Sequence, residues 1–216
     1  MKFLRRNETT LECLENFVGG RDNWNEVNKE TIWASLDVMQ KGFCAYCECS
    51  LKRKHIEHFR TRDLHTNLTF VWSNLFGSCG DSSQKGGWNR CGIYKDNGAG
   101  SYDVEGLIKP DEDNPNDFFL FLTTGKVRPK DNLKDKDLVK AEESIRVFNL
   151  NDDSVLFNSR RRSIESEQNE IDMMYSLFDE FSESEWEELL TTALERVSQL
   201  EFSTALTHAW RYNYQY

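Results

Sequence analysis

Four cysteines constrain this chain more than any other feature. Cys44-Ala45-Tyr46-Cys47 forms a close pair, and Cys79 and Cys91 follow after a stretch holding Glu57, His58 and Asn74. The segment around them, residues 43–106, is rich in Gly, Asn, Ser and Cys and holds only short β-prone pieces. Such a segment buries little apolar area, so a bound metal is a fitting substitute for core. Four soft thiolates suit tetrahedral zinc, and a closed four-cysteine site leaves no open position for catalysis, so the zinc would be structural. A Cys-x-x-Cys pair alone also fits thiol redox chemistry, which calls for a preceding strand in a βαβ context. Here the pair follows a helix stop and precedes the basic turn Lys52-Arg53-Lys54. Zinc is the favoured reading, with unligated buried thiols or redox chemistry as the alternative. The eleven residues between Cys79 and Cys91 exceed the spacing of a simple knuckle, so Gly80–Arg90, with Gly86-Gly87, reads as a looped-out insertion. Cys49 is a spare thiol able to replace a ligand, and Cys13 reads as core.

The rest of the chain is expected to be α+β and mainly helical, in three parts: N-terminal helices over 1–42, a metal-stapled core over 43–106, and a strand pair with a helical region over 107–216. Apolar spacing predicts helices over 8–18 (Leu11, Leu14, Val18) and 28–41 (Ile32, Trp33, Leu36, Met39). Phe118–Leu122, a turn at Gly125 and a return strand form the pair. Helices are expected from about 137, including 160–181 and one opened by the capping-box match Ser184-Glu185-Trp186-Glu187. With no apolar run long enough to span a bilayer and no signal-like start, the expected location is the cytoplasm, with no membrane partner.

The formal charge of −10, taken as a total, argues against nucleic acid, but its distribution matters. Residues 163–201 carry −11, whereas residues 41–62, at the motif, carry +4. Polyanion binding follows local charge and counterion release.

Glu57-His58 and Asn74 suggest hydrolysis. A neutral imidazole can activate water at neutral pH, and a carboxylate can hold a hard cation such as magnesium. Cys-x-x-Cys, Ile56-Glu57-His58-Phe59-Arg60, Trp72-x-Asn74-Leu75-x-Gly77-Ser78-Cys79 and Lys95 together resemble the HNH endonuclease family, whose ββα-metal centre is held by zinc. With Lys109-Pro110-Asp111-Glu112-Asp113-Asn114-Pro115, they are similar to the nuclease subunit of Septu-type and retron-associated anti-phage defence systems.

That resemblance implies His58 as general base, Glu57 as ligand to catalytic Mg2+ or Mn2+, Asn74 as the residue that orients the histidine loop, and zinc on Cys44, Cys47, Cys79 and Cys91. It implies DNA contacts from Arg60, Arg62 and Lys95. Its partners would be DNA, an ABC-type ATPase docked through the helical half and aromatic tail, and in retron systems a reverse transcriptase with its nucleic acid. The third HNH position falls on Gly92, which has no side chain to bind metal; Asp96, Asn97 or Asn89 stands in as a candidate ligand. His55 reads as a surface or phosphate-contact residue. The competing reading is a zinc-stapled binding module with a weakened catalytic centre, favoured by Gly92.

Overall fold

The computed structural model describes residues 1–6, 10–81 and 88–212. The chain is α+β, about half helical, with two small antiparallel sheets among the described residues. The start of the expected first helix, Gly86-Gly87 and tail residues 213–216 lie outside the described residues.

No α-helix forms in the described part of 8–18. A single 3-10 turn, Glu12–Leu14, stands there instead. Leu11 and Leu14 are buried, but Val18 is exposed, so the apparent stripe is two core contacts beside a solvent-facing residue. Gly19 follows the turn where the chain presses on the loop at Thr66; a Cβ at Gly19 would overlap the Thr66 carbonyl oxygen.

The second expected helix is α1, Lys29–Gln40, capped by the Asn28 side chain and ended by Lys41 in the left-handed region. Ile32 and Leu36 are buried in a cluster with Trp24, Phe70, Trp72 and Leu75. β1 (Lys54–His58) and β2 (Leu75–Cys79) pair antiparallel, from Lys54 opposite Cys79 to His58 opposite Leu75. α2 (Cys91–Asn97) packs on both strands.

The short helix α3 (Pro115–Phe118) leads into β3 (Phe119–Phe121), which pairs with β4 (Val127–Pro129). Gly125 turns between them at a φ of 82°, and a Cβ there would overlap the Phe157 carbonyl oxygen. α4 (Asp135–Val147), α5 (Ser154–Ser176), α6 (Glu183–Val197) and α7 (Ser203–Tyr212) follow. α5 begins before the predicted residue 160 because Asp153 caps it, accepting a hydrogen bond from the Leu156 N–H. The capping box of α6 is Ser182 with Glu185, two residues before the predicted match. Ser-Glu-Ser-Glu offers two overlapping matches, and the Ser182 hydroxyl makes the contact.

One hydrophobic cluster contains side chains from Met1 to Trp210. Trp210 is almost fully buried, and its indole N–H donates to Glu167. It therefore completes the core and is not a free docking anchor. The Arg160-Arg161-Arg162 run divides similarly: Arg160 is buried and donates to the Gly125 carbonyl at 2.6 Å, while Arg161 pairs with Glu165. No described helix is long and apolar enough to cross a membrane.

Candidate metal centre and catalytic groove

The four sequence-distant thiols converge. The Sγ atoms of Cys44, Cys47, Cys79 and Cys91 lie within 4.8 Å of one another, and all four residues are buried. Cys44–Cys47 sits in a tight turn in which the Glu48 N–H donates to the Cys44 carbonyl and the Cys44 N–H to the Cys49 carbonyl. β2 delivers Cys79, whose N–H donates to the Cys44 sulfur at 3.4 Å. Cys91 opens α2, and its N–H donates to Phe148 just after α4. The wide Cys79–Cys91 spacing thus spans the end of one element and the start of another.

Tetrahedral zinc with Zn–S of about 2.3 Å requires sulfur–sulfur edges of roughly 3.8 Å. Cys47 and Cys79 sulfurs stand 3.6 Å apart. Hydrogen bonds, first from Cys44, hold the Cys47 thiol well below its ordinary value, while contacts with Cys44 and Cys47 push Cys79 up. This is the behaviour of clustered thiols competing for negative charge. Burial works against the Arg90 charge, but the Cys79 and Cys47 sulfurs overcome it and push its pKa up. Arg90 also pairs with Asp153 at 3.0 Å, leaving a cation beside the thiolates. Donor type, spacing, burial and this cation all fit a structural metal such as zinc.

Beside this centre is an open groove of about 1140 Å3, lined by His55, Glu57, His58, Arg62, Lys95 and Asp96 among others. Strand alternation divides the acid–histidine pair. Glu57 faces α2, its Oε1 2.9 Å from Lys95 Nζ and its Oε2 3.2 Å from His55 Nε2. His58 faces the Trp24 cluster, with the ring centroids 4.5 Å apart. Its Nε2 lies 3.0 Å from the Thr69 carbonyl oxygen. A carbonyl only accepts, so Nε2 carries the proton and Nδ1 keeps its lone pair. Burial lowers the His58 pKa to about 4, keeping the imidazole neutral at pH 7.

Asn74 braces the backbone just after His58. Its Oδ1 accepts from the Arg60 N–H at 2.8 Å, its Nδ2 donates to the Arg60 and Leu68 carbonyls, and its own carbonyl accepts from the Phe59 N–H. The Asn74 turn is held in turn by Arg6, which donates to the Trp72 and Leu75 carbonyls and pairs with Asp111 at 2.7 Å. Lys109 binds the other oxygen of Asp111 at 2.8 Å, so the acidic motif after Lys109 buttresses the turn. No spacing rule marks Arg6 for this role, because all its partners are distant in sequence.

The remaining candidates divide by placement. Arg62 is exposed at the groove. Arg60 pairs with Glu105 at 2.7 Å. Lys95 is buried and turned inward, between Glu57 and Asp96, and does not face outward as a phosphate contact would. His55 likewise belongs to the Glu57 pair and not to the outer surface, and its Nδ1 is buried without a hydrogen-bond partner.

Gly92 has a steric reason. A Cβ there would lie 2.2 Å from Glu57 Oε2, so the seated carboxylate excludes any side chain at this position.

Burial opposes the Glu57 charge, but the Lys95 ammonium and His55 overcome it and hold the carboxyl at about 2. Burial and the neighbouring Glu57 raise Asp96 to about 6 despite Lys95, and two carboxylates share that one ammonium. That excess, the hard carboxylate oxygens and the unpartnered His55 nitrogen fit a divalent cation.

No protein-family model matches the chain, and no curated protein matches it.

Proposed function

We propose that the protein is a metal-dependent HNH-type endonuclease that hydrolyses phosphodiester bonds in DNA. The observation that carries this reading is His58, whose Nε2–H is committed to the Thr69 carbonyl so that Nδ1 remains a base beside the groove. Glu57 on the same strand, the Asn74 brace, and a hairpin and helix joined at a four-thiol cluster support the reading.

Hydrolysis would begin with His58 Nδ1 accepting the proton of an attacking water, as a neutral imidazole can near pH 7. The buried Thr69 contact fixes the ring, and Asn74 fixes the backbone that follows it. Glu57 and Asp96, with His55, would hold the catalytic Mg2+ or Mn2+; when bound, that ion stabilises charge on the phosphoryl and leaving oxygens. Arg62 and Lys54 at the groove would contact backbone phosphates, which position DNA without reading sequence. Zinc on Cys44, Cys47, Cys79 and Cys91 would hold β2 and α2 together and take no part in the chemistry.

The resemblance to Septu-type and retron-associated nucleases extends the proposal to a cytoplasmic anti-phage complex with an ABC-type ATPase. Exposed Met173 and Phe178, on a helical region dense in acid, suit a basic partner face. A second reading, a zinc-stapled binding module, is favoured by Lys95 already neutralising Glu57 and by the absence of a side chain at Gly92.

Plasmid cleavage by the purified protein in Mg2+ or Mn2+ is the test. The parent should cut, and His58→Ala should not, while retaining fold and zinc. Cutting by His58→Ala at the parent rate rules out the base, and DNA binding without cleavage by the parent selects the second reading.

A further inference from the structure

A fifth thiol stands against the cluster. Cys49 Sγ is 3.3 Å from Cys47 Sγ, and Cys49 is half-buried, whereas the other four cysteines of the cluster are buried. Glu48 between them adopts a positive φ of 65°, which folds the Cys47–Cys49 segment back on itself and brings the sulfurs together. That turn is fixed from outside. The Glu48 carboxylate accepts from the Ser203 hydroxyl and Thr204 N–H at 2.9 Å, and the Glu48 carbonyl accepts from the Phe202 N–H. The close sulfur contact is therefore held by tertiary structure. A disulfide has a sulfur–sulfur bond of about 2.05 Å, so closure requires only a short movement.

We propose that Cys49 and Cys47 form a peroxide-sensitive thiol pair that releases the zinc when oxidised. Cys49 is the least buried thiol of the cluster. As its sulfur attacks hydrogen peroxide, the O–O bond breaks, the thiol proton passes to the departing hydroxide, and the products are the Cys49 sulfenic acid and one water. The Cys47 thiolate, a zinc ligand, then attacks the Cys49 sulfur. The S–S bond forms, the S–O bond breaks, and hydroxide leaves. Both thiol sulfurs are oxidised and the peroxide is reduced. A bound zinc would then be left with Cys44, Cys79 and Cys91 as its only thiolate ligands and would be held less tightly. A thiol reductant with added zinc reverses the step. Nothing in this chemistry depends on nuclease activity, so the pair stands or falls apart from that reading.

The experiment treats the zinc-loaded full chain with hydrogen peroxide, follows released zinc with a colorimetric chelator, and maps disulfides by mass spectrometry without reduction. The expected result is zinc release in step with a Cys47–Cys49 disulfide, both reversed by dithiothreitol and zinc. Cys49→Ser should start with the same zinc content, form no such disulfide, and release zinc more slowly. Cys13→Ser, altered at a thiol outside the cluster, should behave like the parent. Release from Cys49→Ser at the parent rate, or a disulfide joining other cysteines, overturns the proposal. A purified folded protein without zinc overturns it as well.

Discussion

Gly92→Ala tests the seating of the Glu57 carboxylate, on which the arrangement of the groove depends. In an exposed helix, Gly to Ala would stabilise by roughly 0.5–1 kcal/mol through backbone entropy. Here the added methyl would lie 2.2 Å from Glu57 Oε2, far inside van der Waals contact, so the carboxylate must retreat by more than about 1 Å. Retreat breaks a 2.9 Å ion pair between the buried Glu57 and Lys95 and a 3.2 Å contact to His55. The Glu57 carboxyl, held at about 2 against an ordinary 4.5, marks the scale. That difference corresponds to about 3 kcal/mol at neutral pH. Allowing for the helix gain, Gly92→Ala should cost about 2 kcal/mol near pH 7. Because the folded-state pKa is depressed, this stabilisation is present above pH 4.5 and lost as pH falls through about 2. The difference between variant and parent should therefore fade over that window. Urea unfolding at a series of pH values measures it. A variant as stable as the parent at pH 7 would refute the seating of Glu57 and the steric account of Gly92.

Two further outcomes follow from buried groups. Cys79→Ser removes one thiolate from the four-sulfur cluster and should lower bound zinc and thermal stability together, since structural zinc contributes on the order of 10 kcal/mol to folding; elemental analysis beside a thermal melt checks it, and full zinc occupancy would contradict the ligand set. His208 is buried, its Nδ1 accepts the Phe121 N–H at 3.1 Å, and burial lowers its pKa to about 4. Its contribution is present above an unfolded value of about 6.5 and lost as pH falls toward 4, by at most about 3 kcal/mol. His208→Gln keeps an acceptor without titrating, so unfolding measured from pH 7 to 4 should show a shallower loss; an unchanged slope would show that His208 does not titrate with folding.

Much of the local organisation was legible because it follows from short-range chemistry. The apolar spacing of Ile32, Trp33, Leu36 and Met39 signals α1, and Gly125 between two apolar runs signals the β3–β4 turn. The four thiols signal a site able to hold a metal through their type and number, and in spite of the wide Cys79–Cys91 spacing. The failures share a physical cause. Leu11 and Leu14 look like one face of a helix, yet an apolar period records burial and not the backbone that achieves it. Ser184 and Ser182 satisfy the same capping pattern, and only the positions of their atoms separate them. Trp210 looks like an interface anchor until α7 is seen to pack it onto α5, where its indole N–H meets Glu167.

Residue types alone supply the inventory of the site: four thiols, a histidine, an acid and an amide near a local positive charge. The tertiary structure decided how each is used. Lys95 and Arg60 read as cations for a polyanion, but packing turns one inward onto Glu57 and binds the other to Glu105. Gly92 reads as a missing ligand, whereas the fold shows the space already filled by Glu57. Arg6 has no local pattern at all, yet it clamps the turn carrying Asn74 through carbonyls nearly seventy residues away. Local sequence fixes which groups are available, but buried charges take whichever partners the fold brings within about 3 Å, and those partners are set by long-range packing.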